Sequence, residues 1–202
     1  MTTALLVVAH PRADSLTARV AARAGERLAA AGYRVDLLDL HAEGFDPRMT
    51  AADEPDWTDP GKEYSPDATA HMGRLAAADT VVVVFPVWWF GLPAILKGWV
   101  DRVWNHGFAY GGGRSRLAGK RMVWIGLAGY SRDHFAEAGW DRSVEHRLRD
   151  GIARFCGIED VSVHLVYDTV SGRPHTEHLA SAAAALDAAV AGPSPVVTSR
   201  RE

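Results

Sequence analysis

The sequence contains little of what several large protein classes require. Its single cysteine excludes an internal disulfide framework and is typical of a protein in a reducing cytosol. No apolar run approaches the length needed to cross a bilayer, and residues 1–6 lack the basic start of a signal peptide. A net charge of -3 with scattered arginines excludes the electrostatic footprint of a nucleic-acid-binding protein. We therefore expect a cytoplasmic protein without a membrane span and without a nucleic-acid partner.

The composition is that of an ordinary globular domain. Its 202 residues are enough for a substantial core, and a hydrophobic fraction of 48% can supply one. We predict a single domain over residues 1–191 and a disordered tail over residues 192–202. Cys156 follows Ile152 and Phe155 in a helical pattern, so we interpret it as a core residue rather than a catalytic thiol.

Short apolar runs alternate with amphipathic segments along the chain. Strands are predicted over residues 3–9, 33–39, 80–85, 120–127 and 161–166, and helices over residues 16–31, 67–78, 93–103, 142–156 and 175–190. Residues 41–66 have no clear period and predict a long surface loop. Five β-α pairs indicate an α/β fold with a doubly wound parallel sheet. We favour the flavodoxin-like strand order 2-1-3-4-5, which puts the loops after strands one and three beside one crevice.

The loop after the first predicted strand has neither standard nucleotide-binding glycine motif. It leads instead into a helix whose free N–H groups and dipole attract phosphate. Ser15 and Thr17 add hydroxyl groups, and His10 offers another donor or a charge. The alternative is an ordinary turn before a helix capped by Asp14 or Ser15, with His10 incidental.

The segment after the third predicted strand, residues 86–91, is unusually aromatic. Trp88, Trp89 and Phe90 on an exposed turn are costly unless they meet a flat apolar group. Such turns lie at the carboxyl end of a central strand, where open α/β sheets bind ligands. We therefore predict an aromatic cofactor. A dimer interface is the alternative, and the two interpretations are compatible.

Other motifs are weak. Gly129 would let backbone amides approach a ligand closely, although such turns are common. Residues 129–133 lack the last glycine of the hydrolase elbow. His175 and His178 have a metal-like spacing without a third ligand, so no metal site is predicted. The acids that a phospho-relay receiver needs are absent from the ends of the first and third strands.

Taken together, the three loops resemble the flavodoxin-2 family of NAD(P)H:quinone oxidoreductases of the DT-diaphorase type. Related proteins are ancillary subunits of glutathione-gated potassium efflux systems. Residues 85–99 and 101–103 are close to the family signature, and residues 9–15, 106–110 and 155–157 agree with it. The resemblance covers roughly residues 4–168.

The resemblance implies a homodimeric flavoprotein with active sites at the subunit interface. NAD(P)H reduces the flavin and leaves, and a quinone or similar acceptor then takes the electrons. The first loop favours FAD, with FMN as the alternative. Carried over by position, the phosphate contacts are His10, Ser15, Leu16 and Thr17, the ring contacts are Pro86, Val87, Trp88, Trp89 and Phe90, and the contacts to the pyrimidine edge are Leu127, Ala128, Gly129 and Tyr130.

The fourth loop departs from the family pattern. Mammalian members have two threonines and two glycines, followed by a tyrosine and a histidine that assist hydride transfer. Residues 127–130 here read Leu-Ala-Gly-Tyr, and Phe135 and Trp140 stand near the positions of the assisting side chains. Tyr130 and His134 are the candidate catalytic replacements. A flavin-loaded regulatory subunit of a potassium efflux transporter and a flavodoxin-like electron carrier remain as alternatives.

Overall fold

The computed structural model describes residues 1–59 and 61–192. Five strands form one parallel sheet in the order β2-β1-β3-β4-β5. The strands are β1 Thr3–Val8, β2 Arg34–Asp39, β3 Thr80–Pro86, β4 Arg121–Leu127 and β5 Asp160–Val166. The predicted α/β fold with a flavodoxin-like order is therefore confirmed. Residues 193–202 of the predicted tail lie outside the described residues, and the domain boundary at residue 191 stays a prediction.

Six α-helices connect and flank the strands in this part of the chain. They are α1 Leu16–Ala30, α2 Pro66–Ala77, α3 Ala94–Val103, α4 Arg132–Ala138, α5 Trp140–His146 and α6 His175–Val190. A π-helical segment, Arg147–Ala153, and a short 3₁₀ segment, Arg154–Cys156, continue α5. None of the described helices is long and apolar enough to span a membrane.

The region between β4 and β5 differs from the single predicted helix over residues 142–156. Ser131 caps α4 by accepting a hydrogen bond from His134, and Gly139 ends it with φ 72° before α5 begins. Val144 and Leu148 are buried as the pattern predicts, but Phe155 is 66% exposed. The apolar spacing indicates a helix without revealing the glycine break or the change to π-helical hydrogen bonding.

The core lies on both faces of the sheet. On one face Leu5, Val7 and Trp124 pack with Trp99 of α3, and on the other Leu6 packs with residues of α1 and α6. Every residue of β1, β3 and β4 is buried, which explains their unbroken apolar runs.

Cys156 belongs to the first of these core clusters, as the sequence predicts. Burial raises the pKa of its thiol to about 11, so the thiol is protonated and unreactive at neutral pH.

The long loop predicted over residues 41–66 is irregular but is not entirely a surface feature. Asp53 is fully buried in it and accepts hydrogen bonds from Ser65 N at 2.9 Å and from Arg102 Nε of α3 at 2.8 Å. Asn105 Nδ2 donates to the Asp53 carbonyl at 2.6 Å. These contacts hold the loop against the end of α3.

Candidate active site

The carboxyl ends of β1, β3 and β4 meet at one edge of the sheet. The strand order reverses between β1 and β3, which makes this edge the topological switch point. Ala9 N donates to Val84 O at 3.2 Å, and Val87 N donates to Leu127 O at 2.8 Å. The three loops identified in the sequence are therefore tied together where their strands end.

Two adjoining cavities lie at this edge. The first, here called the loop cavity, has a volume of about 290 Å³ and is lined by His10, Arg12, Ser15, Leu16, Thr17, Pro86, Val87, Trp88, Leu127, Gly129, Thr169 and Val170. The second, here called the ring cavity, has a volume of about 260 Å³ and is lined by Val87, Trp89, Phe90, Gly129, Tyr130 and Phe135. Val87 and Gly129 belong to both. Of the predicted cofactor contacts, Ala128 alone lines neither cavity, because it is buried behind the others.

The start of α1 forms one end of the loop cavity. Ser15 is the N-cap, and its Oγ accepts a hydrogen bond from Ala18 N at 3.1 Å. The hydroxyl proton of Ser15 remains available as a donor, and Ser15 and Thr17 are both buried. The N–H groups of Leu16 and Thr17 have no partner within the helix. This end of the cavity is therefore suited to an anion such as phosphate.

His10 can act as an uncharged hydrogen-bond donor in the loop cavity. Its Nδ1 accepts a hydrogen bond from Arg12 N at 3.1 Å, which leaves the ring proton on Nε2. Partial burial lowers the pKa of His10, so the imidazole is mainly uncharged at pH 7. Of the two roles that the sequence left open, the structure favours the donor, and the positive charge in this cavity comes from Arg12.

The aromatic turn is closed by a pair of hydrogen bonds, from Trp88 N to Gly91 O at 3.2 Å and from Gly91 N to Trp88 O at 3.1 Å. Trp89 and Phe90 between them have φ values of 49° and 56°. Bulky residues rarely adopt this left-handed conformation, and such outliers are concentrated at functional sites. Trp89 is 94% exposed, so the turn presents an indole to solvent at the mouth of the ring cavity.

Phe90 is supported from behind. Its ring stacks on Trp140 at a centroid distance of 3.8 Å and meets Phe135 edge-on at 5.9 Å. Because Trp140 covers one of its faces, Phe90 forms a fixed wall of the cavity. The Tyr130 ring lies 4.6 Å from that of His134, which in turn lies 5.2 Å from Trp140.

The loop after β4 is held by the segment that follows β5. The carbonyl of Ala128 accepts from Thr169 N at 3.1 Å and from Thr169 Oγ1 at 3.0 Å, and the carbonyl of Tyr130 accepts from Asp168 N at 3.0 Å. The N–H groups of Gly129 and Tyr130 donate to no described residue. A methyl group on Gly129 would meet Val170 at an ordinary 3.5 Å, so packing within the chain does not demand glycine here.

Sequence reasoning missed several residues around the two cavities. Thr169 and Val170 follow β5 at the same edge of the sheet, and the rule that carboxyl ends meet at one edge could have identified them. Arg12 lies within the first loop and was not singled out. Phe135 and Trp140 are identified in the sequence only as residues near the positions of the assisting side chains. Their contact with Phe90 could not be predicted, because it depends on where α4 and α5 pack.

Comparison with known proteins agrees with this architecture. Residues 2–190 match the Flavodoxin_2 family model, described as a flavodoxin-like fold. The chain is 42% identical over 165 residues to YcaK, an uncharacterized NAD(P)H oxidoreductase of Escherichia coli, with 82% of this chain and 83% of the relative covered. It is 32% identical over 186 residues to rat NAD(P)H dehydrogenase [quinone] 1, with 81% and 68% covered.

Among solved structures, an NAD(P)H:quinone oxidoreductase from Methanothermobacter marburgensis has a TM-score of 0.85 at 24% identity, covering 93% of this chain and 96% of the other, which supports the fold. The family match and the relatives' identities together confirm the predicted family and the predicted class of enzyme, an NAD(P)H oxidoreductase. The chain belongs to the Flavodoxin_2 family of flavodoxin-like proteins.

Proposed function

We propose that this protein is a cytoplasmic, flavin-dependent NAD(P)H:quinone oxidoreductase. The observation that carries the proposal is the pair of adjoining cavities at the switch point of the sheet. One is formed at the amino end of α1 and suits a phosphate, and the other is lined by aromatic side chains and suits a planar ring. The names of the relatives, which include a quinone dehydrogenase, support the same assignment.

The residues fit a flavin in both cavities. The N–H groups of Leu16 and Thr17, with His10 Nε2 and the Arg12 guanidinium, would hold the phosphate. Pro86, Val87, Trp88 and Phe90 would flank the ring system. The unpartnered N–H groups of Gly129 and Tyr130 would meet the polar edge of the ring and stabilise negative charge there. These donors belong to the backbone, so they do not depend on the threonines that the family pattern would place in this loop.

A bound flavin would supply the hydride chemistry between NAD(P)H and a quinone. The quinone would gain two electrons and one proton in that transfer and would need a second proton from a nearby acid or from water. Tyr130 and His134 are the titratable side chains that we propose to hold that proton. Tyr130 lines the ring cavity and is more than half exposed, and its ring contacts that of His134. Trp89 would cover the acceptor or the nicotinamide as each enters in turn.

FMN and FAD share the ring and the first phosphate, and the two cavities account for these shared parts. The resemblance of the first loop favours FAD. Heating the purified protein and identifying the released flavin by chromatography decides between the two.

The central experiment is spectroscopic. The purified protein is expected to show a flavin spectrum, to be bleached by NADH or NADPH without oxygen, and to recover its colour when a quinone is added. Tyr130→Phe and His134→Gln are expected to slow reoxidation by the quinone more than reduction by the donor. A colourless protein that neither binds added FMN or FAD nor oxidises NAD(P)H would contradict the proposal.

We also propose that the protein is a homodimer, as the resemblance implies. Met49, Trp57 and Phe155 are exposed apolar side chains, and Met49 and Phe155 line the same groove as Tyr110. Tyr110 connects them, with ring distances of 5.7 Å to Trp57 and 5.4 Å to Phe155. Exposed aromatic clusters of this kind are typical of subunit contacts. No observation on the described residues favours the transporter-subunit alternative.

A further inference from the structure

Arg147 lies against the aromatic turn. It follows Trp140 by seven residues, which places the two side chains on the same face of the helical segment that begins with α5. Trp140 stacks on Phe90, and a methyl group added to the next residue, Gly91, would lie 2.9 Å from Arg147 Nη1. The guanidinium therefore rests beside the backbone of the turn that forms the ring cavity.

Three basic side chains close to Arg147 in the chain pair with acids of the same segment. Arg149 pairs with Glu145 at 2.6 Å, and Asp150 pairs with both Arg154 and His146 at 2.9 Å. Arg147 has no ion pair and no side-chain hydrogen bond with any described residue. The sequence explains the difference, because the positions four residues before and after it are Ser143 and Gly151 rather than acids.

We propose that Arg147 binds a phosphate group of NAD(P)H when the nicotinamide enters the ring cavity. The inference rests on the proposed function and adds a residue that recognises the donor. NAD(P)H is an anion, and the protein carries a net charge of -3, so binding calls for a local cation. The residues that line the ring cavity include neither arginine nor lysine. A guanidinium matches phosphate geometry with two parallel N–H donors, and an exposed one has little desolvation cost to overcome.

Gly91 leaves the space that the guanidinium occupies. Its φ is not in the left-handed region, so alanine is compatible with the backbone there. The added methyl would displace the guanidinium, which is the mobile end of a long side chain. Gly91→Ala therefore moves the charge without removing it, whereas Arg147→Ala removes it.

The test compares donors that differ only in their phosphates: NADPH, NADH, and reduced nicotinamide riboside, which has none. Arg147→Ala is expected to raise KM for NADH and NADPH by about fivefold to tenfold, which lies between the effect of an exposed ion pair and that of a buried charged hydrogen bond. KM for the riboside and kcat for all three donors are expected to stay unchanged. Gly91→Ala should shift the donors in the same order by a smaller factor, and Arg147→Lys should recover part of the loss.

Arg142→Ala is the matched control, because it removes the same charge from α5 two residues after Trp140, on another face of the helix. An equal rise of KM in Arg142→Ala, or an equal rise for the riboside in Arg147→Ala, would overturn the inference. Quenching of tryptophan fluorescence by NADP⁺ gives a binding readout that does not need turnover. If the wild-type protein does not bind flavin, the proposed function is contradicted. If the wild type binds flavin and NAD(P)H reduces it, but Arg147→Ala has no selective effect on the phosphate-bearing donors, only the role of Arg147 is contradicted.

Discussion

Ser15 has one role in the fold and, in the flavin site that we propose, a second role beside the ligand. Its Oγ accepts the hydrogen bond that caps α1, while its buried position in the loop cavity places it beside the expected phosphate. The two roles differ in their electrostatics. Capping requires only an acceptor, whereas binding a phosphate requires a donor and the absence of negative charge.

Two substitutions at Ser15 separate these roles. Ser15→Ala is expected to lower the free energy of unfolding by about 1 kcal/mol and to weaken flavin binding, because cap and donor are both lost. Ser15→Asp keeps an acceptor at the N-cap, so stability is retained, but its charge repels the phosphate and flavin binding falls further. Urea unfolding of the apoprotein and flavin titration measure the two effects. Wild-type flavin affinity in Ser15→Asp would place the phosphate elsewhere.

At the scale of elements, the loop between β2 and α2 depends on one buried ion pair. Burial by itself would raise the pKa of Asp53, but hydrogen bonds from Ser65 and Arg102 hold that pKa below its usual value. Arg102 also donates to the carbonyl of Asp46, packs its guanidinium 5.0 Å from the Phe45 ring centre, and is itself buried. The loop is therefore attached to α3 by polar contacts rather than by secondary structure.

Asp53→Asn is expected to lower the free energy of unfolding by about 2 kcal/mol, because the buried Arg102 charge then keeps only the half-exposed carboxylate of Asp67, 3.2 Å away. Asp59→Asn, in an exposed part of the same loop, is the control and should change stability by less than about 0.5 kcal/mol. Replacing Asp53 and Arg102 together with leucine should cost less than the sum of the single changes. Additive losses measured by urea unfolding would show that the two residues act independently.

At the scale of the whole molecule, stability should depend on pH between neutrality and mild acid. Burial lowers the pKa of His10, His71 and His164 below the ordinary value of 6.5. Below pH 6.5 the unfolded chain therefore binds more protons at these positions than the folded chain does. The stability that these three neutral histidines contribute is fully present above pH 6.5. It is lost as the pH falls through their folded-state pKa values.

Urea unfolding at pH 7.5, 6.5 and 5.5 checks this expectation. The aspartates with lowered pKa values do not contribute to the change over this pH range. The stability that they supply is lost only below their ordinary pKa of 3.8, and the pKa of Asp46 is lowered to about 2. His71→Gln should make the free energy of unfolding depend less on pH, since the His71 side chain is the least exposed of the three histidines. A free energy of unfolding that rises toward pH 5.5 would contradict the sign of these shifts.

Assembly is the second property of the whole molecule that can be tested. Phe155→Asp places a charge in the exposed aromatic cluster and is expected to convert a dimer into a monomer in light scattering after size exclusion. Phe155 is two-thirds exposed in the single chain, so its substitution should leave the fold of the monomer intact. The matched change at another exposed apolar residue, Leu37→Asp on β2, should leave the mass unchanged. A wild-type monomer at micromolar concentration would rule out this interface.

Much of the fold and part of the site could be predicted from local patterns. The apolar runs of β1, β3 and β4 and the helical spacing of apolar residues in α1 could be predicted, because burial in the core selects apolar residues at those positions. The loops at the switch point follow from topology, because parallel strands end at one edge. The helices after β4 were predicted less well, because Gly139 and the π-helical segment change the path without changing the apolar spacing.

The sequence by itself determined the α/β class and the three loops that carry the candidate site, since these depend on periodicity, glycine and proline placement, and the geometry of parallel sheets. It favoured the strand order β2-β1-β3-β4-β5, which the pairing of the strands then confirmed. Only the tertiary structure decided how Trp140 supports Phe90, how Thr169 holds the Ala128 loop, and where Arg147 lies. Each of these is a contact between segments far apart in the chain or set by a change of helix type. Such contacts form through packing and hydrogen bonding in three dimensions, and no local pattern encodes them.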